Sequence, residues 1–298
     1  MLAPRVVTVH RRSELDDLVE RHGTRGQAEF FLRTRGRSLA DVQARHDAVA
    51  LARRTVAAAV PQGWRTASVE RADLDRFAFE PADVVVAVGQ DGLVANVAKY
   101  LDGQPVVGVD PEPGRGPGVL VPHPAGAAGG LLAAAAAGRD RWTPLTMVRA
   151  TTDDGQHLDA LNEVYLGHAG HQSARWTVRT PGGRAERQSS SGLLVGTGTG
   201  ASGWCRSLAV ERSSPIALPR PDDAALAWFV REAWPSPTTG ATLTEGLLDA
   251  DDVLEVVVES EVLVAFGDGV EADRLLPSWG QLVRLGRSPR VLHHVTLG

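Results

Sequence analysis

The sequence predicts an α/β domain followed by an all-β domain, and three observations carry that expectation. Short apolar, strand-like runs alternate with amphipathic, helix-like segments through residues 5–109. From residue 141 onward short strand patterns dominate. Between the two textures lies DPEPGRGPG, residues 110–118, whose prolines and glycines break both helix and strand. The expected division is therefore residues 1–112 and 113–298.

In chain order, residues 5–9 (RVVTV) read as a first strand buried on both faces. A helix follows, with Ser13 as its N-cap, and residues 25–33 form a second short helical piece. Ser38 and Asp41 resemble a capping box that opens a helix running to about residue 60, where Pro61 and Gly63 stop it. Residues 64–69, 84–88 and 106–109 are further strands, and the alternation points to a parallel sheet with right-handed crossovers. The Ala-rich segment 124–138 reads as a slim helix suited to close packing. Beyond it, strands are expected at 143–150, 158–167, 175–179, 186–190, 192–195, 224–232, 253–259, 262–266, 281–285 and 291–295. Pro181-Gly182-Gly183 marks a hairpin turn, and the many short strands suggest a β-sandwich-like second domain.

Composition narrows the function classes. The chain has 298 residues, 43% of them hydrophobic, which suffices for two domains with real cores. A net charge of −5 argues weakly against nucleic-acid binding. Lys99 is the single lysine, so any catalytic-lysine chemistry would have to run through it. Cys205 is the single cysteine, which excludes an intrachain disulfide and a thiolate zinc cluster. No apolar run approaches the roughly 18 residues of a membrane span, and the basic pair Arg11-Arg12 follows the apolar residues 6–9, the reverse of a secretory signal. A soluble cytoplasmic protein without membrane partners is expected.

Four constellations carry chemistry. Gly89-Gln90-Asp91-Gly92 ends an apolar strand and begins a helix, a place that favours phosphate. Asp91 there could be a general base, a metal ligand or a turn-former. Gly196-Thr197-Gly198-Thr199-Gly200 strings hydroxyls and exposed N–H groups along one loop, which suits phosphate oxygens, although a plain hairpin bend has the same composition. Asn162-Glu163 interrupts an apolar strand and should point to opposite faces. A buried Glu163 needs a partner, and an arginine is the simplest one. Gly267-Asp268-Gly269 is a strong turn signal in its own right. The histidines show no metal-binding spacing, though His157 and His168 flank the Asn-Glu strand.

Taken in order, these motifs resemble the NAD kinases, the family related to diacylglycerol and sphingosine kinases. The series is a Gly-x-Asp-Gly turn, PVVGVD at 105–110, Ala160-Leu161-Asn162-Glu163-Val164, Ser190-Ser191-Gly192-Leu193 leading into the Gly-Thr loop, and Asp268-Gly269. The likeness is greatest to the mitochondrial-type branch, where Thr-Gly-Thr-Gly is followed shortly by Ala-Trp; here Gly203-Trp204 follows, and Pro113 and Arg115 match that branch's Asp-Pro-x-Arg-type segment. The similarity covers residues 6–273.

The resemblance implies a Rossmann-like N-terminal domain, a β-rich C-terminal domain and an active site in the cleft between them. It implies transfer of the ATP γ-phosphoryl to the 2′-hydroxyl of the adenosine ribose of NAD, assisted by Mg²⁺ that accompanies ATP; no separate protein metal site is expected. Asp91 would polarise or deprotonate the hydroxyl. Gly89, Gly92, Thr197, Gly198, Thr199 and Gly200 would bind phosphate and nucleotide, and Asn162, Glu163 and Asp268 the dinucleotide. A homodimer or homotetramer would complete the site. Gln90, Leu93 and Ala201 depart from the family pattern, which has Gly, Thr and Ser or Lys there. A glycine needed at position 90 for φ > 0 would make Gln90 strained. A non-catalytic NAD(P) sensor of the same fold, and a kinase of another small hydroxyl compound, are the alternative functions.

Overall fold

The computed structural model describes residues 3–116, 118–138 and 142–297, so residue 117 of the expected loop 110–118 lies outside the described residues. The chain is mixed α/β with two sheets, and it divides into two compact units, residues 1–143 with 293–298, and residues 144–292.

In the first unit, β1 (Arg5–His10), β2 (Arg65–Glu70), β3 (Asp83–Val88) and β4 (Pro105–Asp110) pair in parallel in the order β2-β1-β3-β4. β3 reads DVVVAV and is buried along its length, as a strand covered on both faces must be. Val6, Val84, Val86, Val88, Val107 and Val109 form one apolar face. Three helices follow β1: α1 (Glu14–His22), α2 (Arg25–Arg33) and α3 (Leu39–Ala58). α3 packs on that apolar face through Ala52 and Val56. α4 (Asp91–Ala98) packs across β1, β3 and β4. Ser13 caps α1 in a full capping box with Asp16, and Ser38 caps α3 through the Ala40 N–H. β1 stands between β2 and β3, so the chain leaves it on one side and returns on the other. Such a switch point gathers ligand sites at the carboxyl ends of the strands.

The remaining parts of this unit explain why it extends beyond residue 112. A short strand, β5 (His123–Pro124), pairs with β4, and the Ala-rich helix α5 (Ala128–Ala137) buries Leu131 and Leu132 in the same core as β3 and β4. Residues 293–295 add in parallel to β4. The proline-glycine segment is thus a loop inside the first unit, and the units part at Thr143 and Pro144.

In the second unit the strands are β6 (Trp142–Thr152, most of which lies here), β7 (His157–Ala160), β8 (Glu163–Gly167), β9 (Ala174–Arg179), β10 (Ala185–Ser190), β11 (Gly192–Gly196), β12 (Leu226–Arg231), β13 (Glu245–Leu248), β14 (Val253–Val258), β15 (Val264–Gly267), β16 (Arg274–Leu275) and β17 (Leu282–Val295). One sheet is antiparallel throughout, β13-β12-β11-β8-β15-β16. In the other, β10-β9-β14-β17 are antiparallel neighbours, with β6 and β7 alongside. Alternate residues of both, among them Val164, Leu166, Trp176, Leu193, Trp228 and Val256, meet in one core. The other face of the first of these sheets is covered by α6 (Trp204–Arg212) through Cys205, Leu208 and Ala209. The hairpin expected at Pro181-Gly182-Gly183 joins β9 to β10. Three expectations differ, and one of them is β13, which lies where no strand is expected. The strand foreseen at 158–167 is broken between Ala160 and Glu163, and the two foreseen at 281–285 and 291–295 are one, β17. No helix among the described residues is long and apolar enough to cross a membrane.

At the amino ends of β1 and β3, Arg5 donates from Nε and Nη2 to both oxygens of Asp83, at 2.8 and 2.7 Å, and Asp83 is 1% exposed. The hydrogen bond to Asp83 raises the Arg5 pKa against the opposing effect of its burial. Removing one partner of a buried pair leaves the other charge uncompensated. Arg5→Met is expected to lower the unfolding free energy by about 3 kcal/mol, read from urea denaturation; a change within about 0.5 kcal/mol would refute the pair as an anchor.

Candidate functional site

The first unit places Asp91 at the carboxyl end of β3, as the first residue of α4. Its carboxylate is already engaged: Oδ1 accepts the N–H groups of Leu120 (2.8 Å) and Val121 (3.1 Å), and Oδ2 that of Val119 (3.1 Å). Two other features hold the same loop. His294, 4% exposed, donates from Nε2 to the Leu120 carbonyl at 2.9 Å. A Cβ on Gly108 would lie 1.8 Å from that carbonyl oxygen, so only glycine lets the loop rest against β4. Burial pushes the His294 pKa down, which suits a neutral ring with its proton on Nε2.

The turn itself is less strained than its glycines suggest. Neither Gly89 nor Gly92 is among the positive-φ residues. Gln90 is extended, φ −97° and ψ 165°, as the N-cap of α4, so a side chain is tolerated there without strain. Leu93 is 6% exposed, and its Cδ2 would lie 3.0 Å from a Cβ on Gly89. Beside the turn lies a cavity of about 500 Å³ lined by Asp91, Asp110, Glu112, Arg45 and Arg115 with Gln90 and Gly92.

The second unit gathers Asn162, Glu163, Thr197, Gly198, Thr199, Gly200 and Asp268 into one knot. Asp268 explains the broken strand. Its Oδ2 accepts the N–H of Leu161 (2.8 Å), and its Oδ1 those of Asn162 (2.7 Å) and Glu163 (3.4 Å). It does this from the left-handed region, φ 54°, which Asp tolerates better than most residues. Thr197 is fully buried; its hydroxyl donates to the Leu161 carbonyl (2.5 Å) and accepts the N–H groups of Thr199 (3.1 Å) and Gly200 (3.3 Å). The Thr197 N–H in turn reaches the Asn162 carbonyl at 2.9 Å. A Cβ on Gly200 would sit 2.2 Å from that carbonyl oxygen.

These contacts correct the expectation of exposed N–H groups along the Gly-Thr loop. The loop is buried, the N–H groups of Thr197, Thr199 and Gly200 have intramolecular partners, and Gly200 is there for backbone packing. The Thr199 hydroxyl remains, buried and without a hydrogen-bond partner. The expected arginine partner of Glu163 is also absent among the described residues. Instead, burial and then the neighbouring Asp268 push the Glu163 carboxyl up to about 7. Burial, followed by the charge of Glu163, pushes the Cys205 thiol up to about 12, so it is an inert packing group.

Of the sequence-derived residues, Gly89, Asp91 and Gly92 belong to the first unit and the other seven to the second. Arg45 and His294 were not among the sequence-derived site residues, and Arg45 carried no signal beyond its place on the helix that Ser38 opens; Asp110 and Cys205 stood out only as the end of PVVGVD and as the single cysteine. His168 accepts the Gly170 N–H within its own loop, and His157 is exposed. No group of three or more metal-ligating side chains occurs among the described residues. No protein-family model matches the chain, and no curated protein is significantly similar to it.

Two expectations follow for the knot. Asp268→Ala strands three backbone N–H groups and should cost about 2–4 kcal/mol, with accelerated amide exchange confined to residues 161–163; uniform exchange across the unit would refute the clamp. For Glu163, a folded value near 7 lies above its ordinary 4.5, so the folded state holds the proton more tightly. Its contribution to stability is complete below about pH 4.5 and lost as pH rises through about 7. Glu163→Gln should remove roughly 2 kcal/mol of pH dependence in that window, seen as a flatter plot of melting temperature against pH.

Proposed function

We propose that this protein is an NAD kinase-type phosphotransferase, with a Rossmann-like first unit and a sandwich-like second one. One observation carries the reading: motif residues as far apart in sequence as Leu161 and Asp268 converge on a single knot with the Gly-Thr loop. The knot forms where β11, β8 and β15 lie side by side, and it gathers into one place residues that the sequence marks separately.

In this reading the ribose 2′-oxygen of NAD attacks the γ-phosphorus of ATP, and the bond to the bridging oxygen of ADP breaks. The hydroxyl proton passes to Asp91 and then to water, giving ADP, NADP and a proton. A carboxylate offers about four lone-pair sites, and three N–H groups occupy three of those on Asp91. One site remains for the hydroxyl, and the clamp holds it in a fixed direction, which is how positioning lowers a barrier. Asn162 and Glu163 contact the dinucleotide, with Glu163 able to donate or accept near neutrality. The residues present fit Mg²⁺ arriving on the donor: such ions are held by one or two carboxylates plus substrate phosphates, and Asp110, in the cavity beside Asp91, would be the one to hold it. Mg²⁺ would neutralise phosphate charge there.

A second reading, a dinucleotide sensor without turnover, is favoured by the internally paired N–H groups of the Gly-Thr loop. The two part on one assay. With ATP, Mg²⁺ and NAD, the wild type should form NADP, and Asp91→Asn should abolish this while NAD binding persists. His294→Gln loosens the same loop without touching the carboxylate and should retain most activity. No NADP from ATP, GTP or polyphosphate sinks the kinase reading; NAD binding without turnover establishes the sensor.

A further inference from the structure

The cavity beside Asp91 holds three carboxylates and two guanidinium groups among its described lining residues, and most of that charge is already committed. Asp91 accepts three backbone N–H groups. Asp110 accepts the Glu112 N–H at 2.8 Å, and Glu112 holds Arg115 at 2.8 Å. Arg45 is different. It projects from α3, and Glu14 comes no nearer to its Nη1 than 3.6 Å. Glu14 is itself held by Arg37 through two bonds of 2.5 and 2.9 Å. The Arg45 Nε is buried without a hydrogen-bond partner. The side chain as a whole is 38% exposed and lines the cavity, and a guanidinium's planar fork matches the oxygens of phosphate.

We propose that Arg45 anchors the polyphosphate chain of the phosphoryl donor in this cavity, as a positioning residue. The proposal rests on the kinase reading for the identity of the ligand as donor. Inorganic polyphosphate and the tail of a nucleoside triphosphate share this chemistry. The carboxylates around Arg45 favour a chain that carries Mg²⁺ over a bare anion.

Calorimetry with Mg²⁺-tripolyphosphate and, in parallel, Mg²⁺-ATP tests it on the full chain. Arg45→Met should weaken tripolyphosphate binding roughly 10- to 100-fold, with Arg45→Lys recovering part of the loss. NAD affinity and melting temperature should stay near wild-type values. Arg115→Met should have the smaller effect, because Glu112 already holds that side chain. In turnover, Arg45→Met should raise the KM for the donor and leave that for NAD unchanged. Tighter binding of ATP than of tripolyphosphate identifies a nucleotide donor; equal affinity identifies an inorganic one. No binding by the wild type, an unaltered Arg45→Met, or an equal loss of NAD affinity each overturns the proposal. If Arg45-dependent binding is found but no donor yields NADP, the anion site stands and the kinase reading falls. If NADP forms with an unchanged donor KM in Arg45→Met, the reading stands and Arg45 falls.

Discussion

A carboxylate that takes three consecutive backbone N–H groups is the constraint on which both candidate clusters depend. Asp91 does this for residues 119–121 and Asp268 for residues 161–163. In a strand successive N–H groups point to opposite sides, so a segment that gives three in a row to one carboxylate leaves the sheet ladder there. The carboxylate gains charge-assisted bonds, each worth about 1.5–3 kcal/mol against about 1 for a neutral pair. That gain offsets the left-handed conformation at Asp268, which costs on the order of 1–2 kcal/mol. The loops so held are irregular yet rigid, the combination a binding site needs.

The legible part of the fold was what local pattern determines. The central parallel strands β3 and β4 announce themselves as valine-rich runs because burial on both faces removes the polar alternation, whereas β2, RTASVE, is largely uncovered. The Ser13 cap and the Pro181-Gly182-Gly183 turn were legible because their partners lie within a few residues. What escaped was long-range. The break before Glu163 is made by Asp268, 105 residues away, and nothing in ALNEVYLG marks it. Two strands are expected at 281–285 and 291–295, yet β17 runs on through Ser288-Pro289, with Ser288 2% exposed inside the continuous strand. β13, reading EGLL, was missed for want of β-branched residues.

The candidate site shows the same split. The order of the motifs was visible, and so were the residue types. Their internal hydrogen bonding was not, and it alters the chemistry. A glycine- and threonine-rich loop can hold phosphate only with N–H groups that the fold leaves open, and here Thr197 has taken two of them. Polar capacity rests instead with side chains: the unpartnered Thr199 hydroxyl, the raised Glu163 carboxyl and, unmarked by any motif, Arg45.

The two departures in the Asp91 turn now have a common physical reason. A second glycine would be required at position 90 only if the chain turned left-handed there, and it does not; Gln90 is extended and starts the helix. A threonine at position 93 would place a hydroxyl where Leu93 is buried against Gly89. Exchanging that leucine for a smaller polar group would forfeit roughly 1.5–3 kcal/mol of burial and leave an oxygen needing a partner. The turn is therefore stabilised by packing and by the clamp on residues 119–121. What the clamp leaves on the Asp91 carboxylate is one lone pair, so whatever that side chain does to a ligand it does through a single, oriented oxygen.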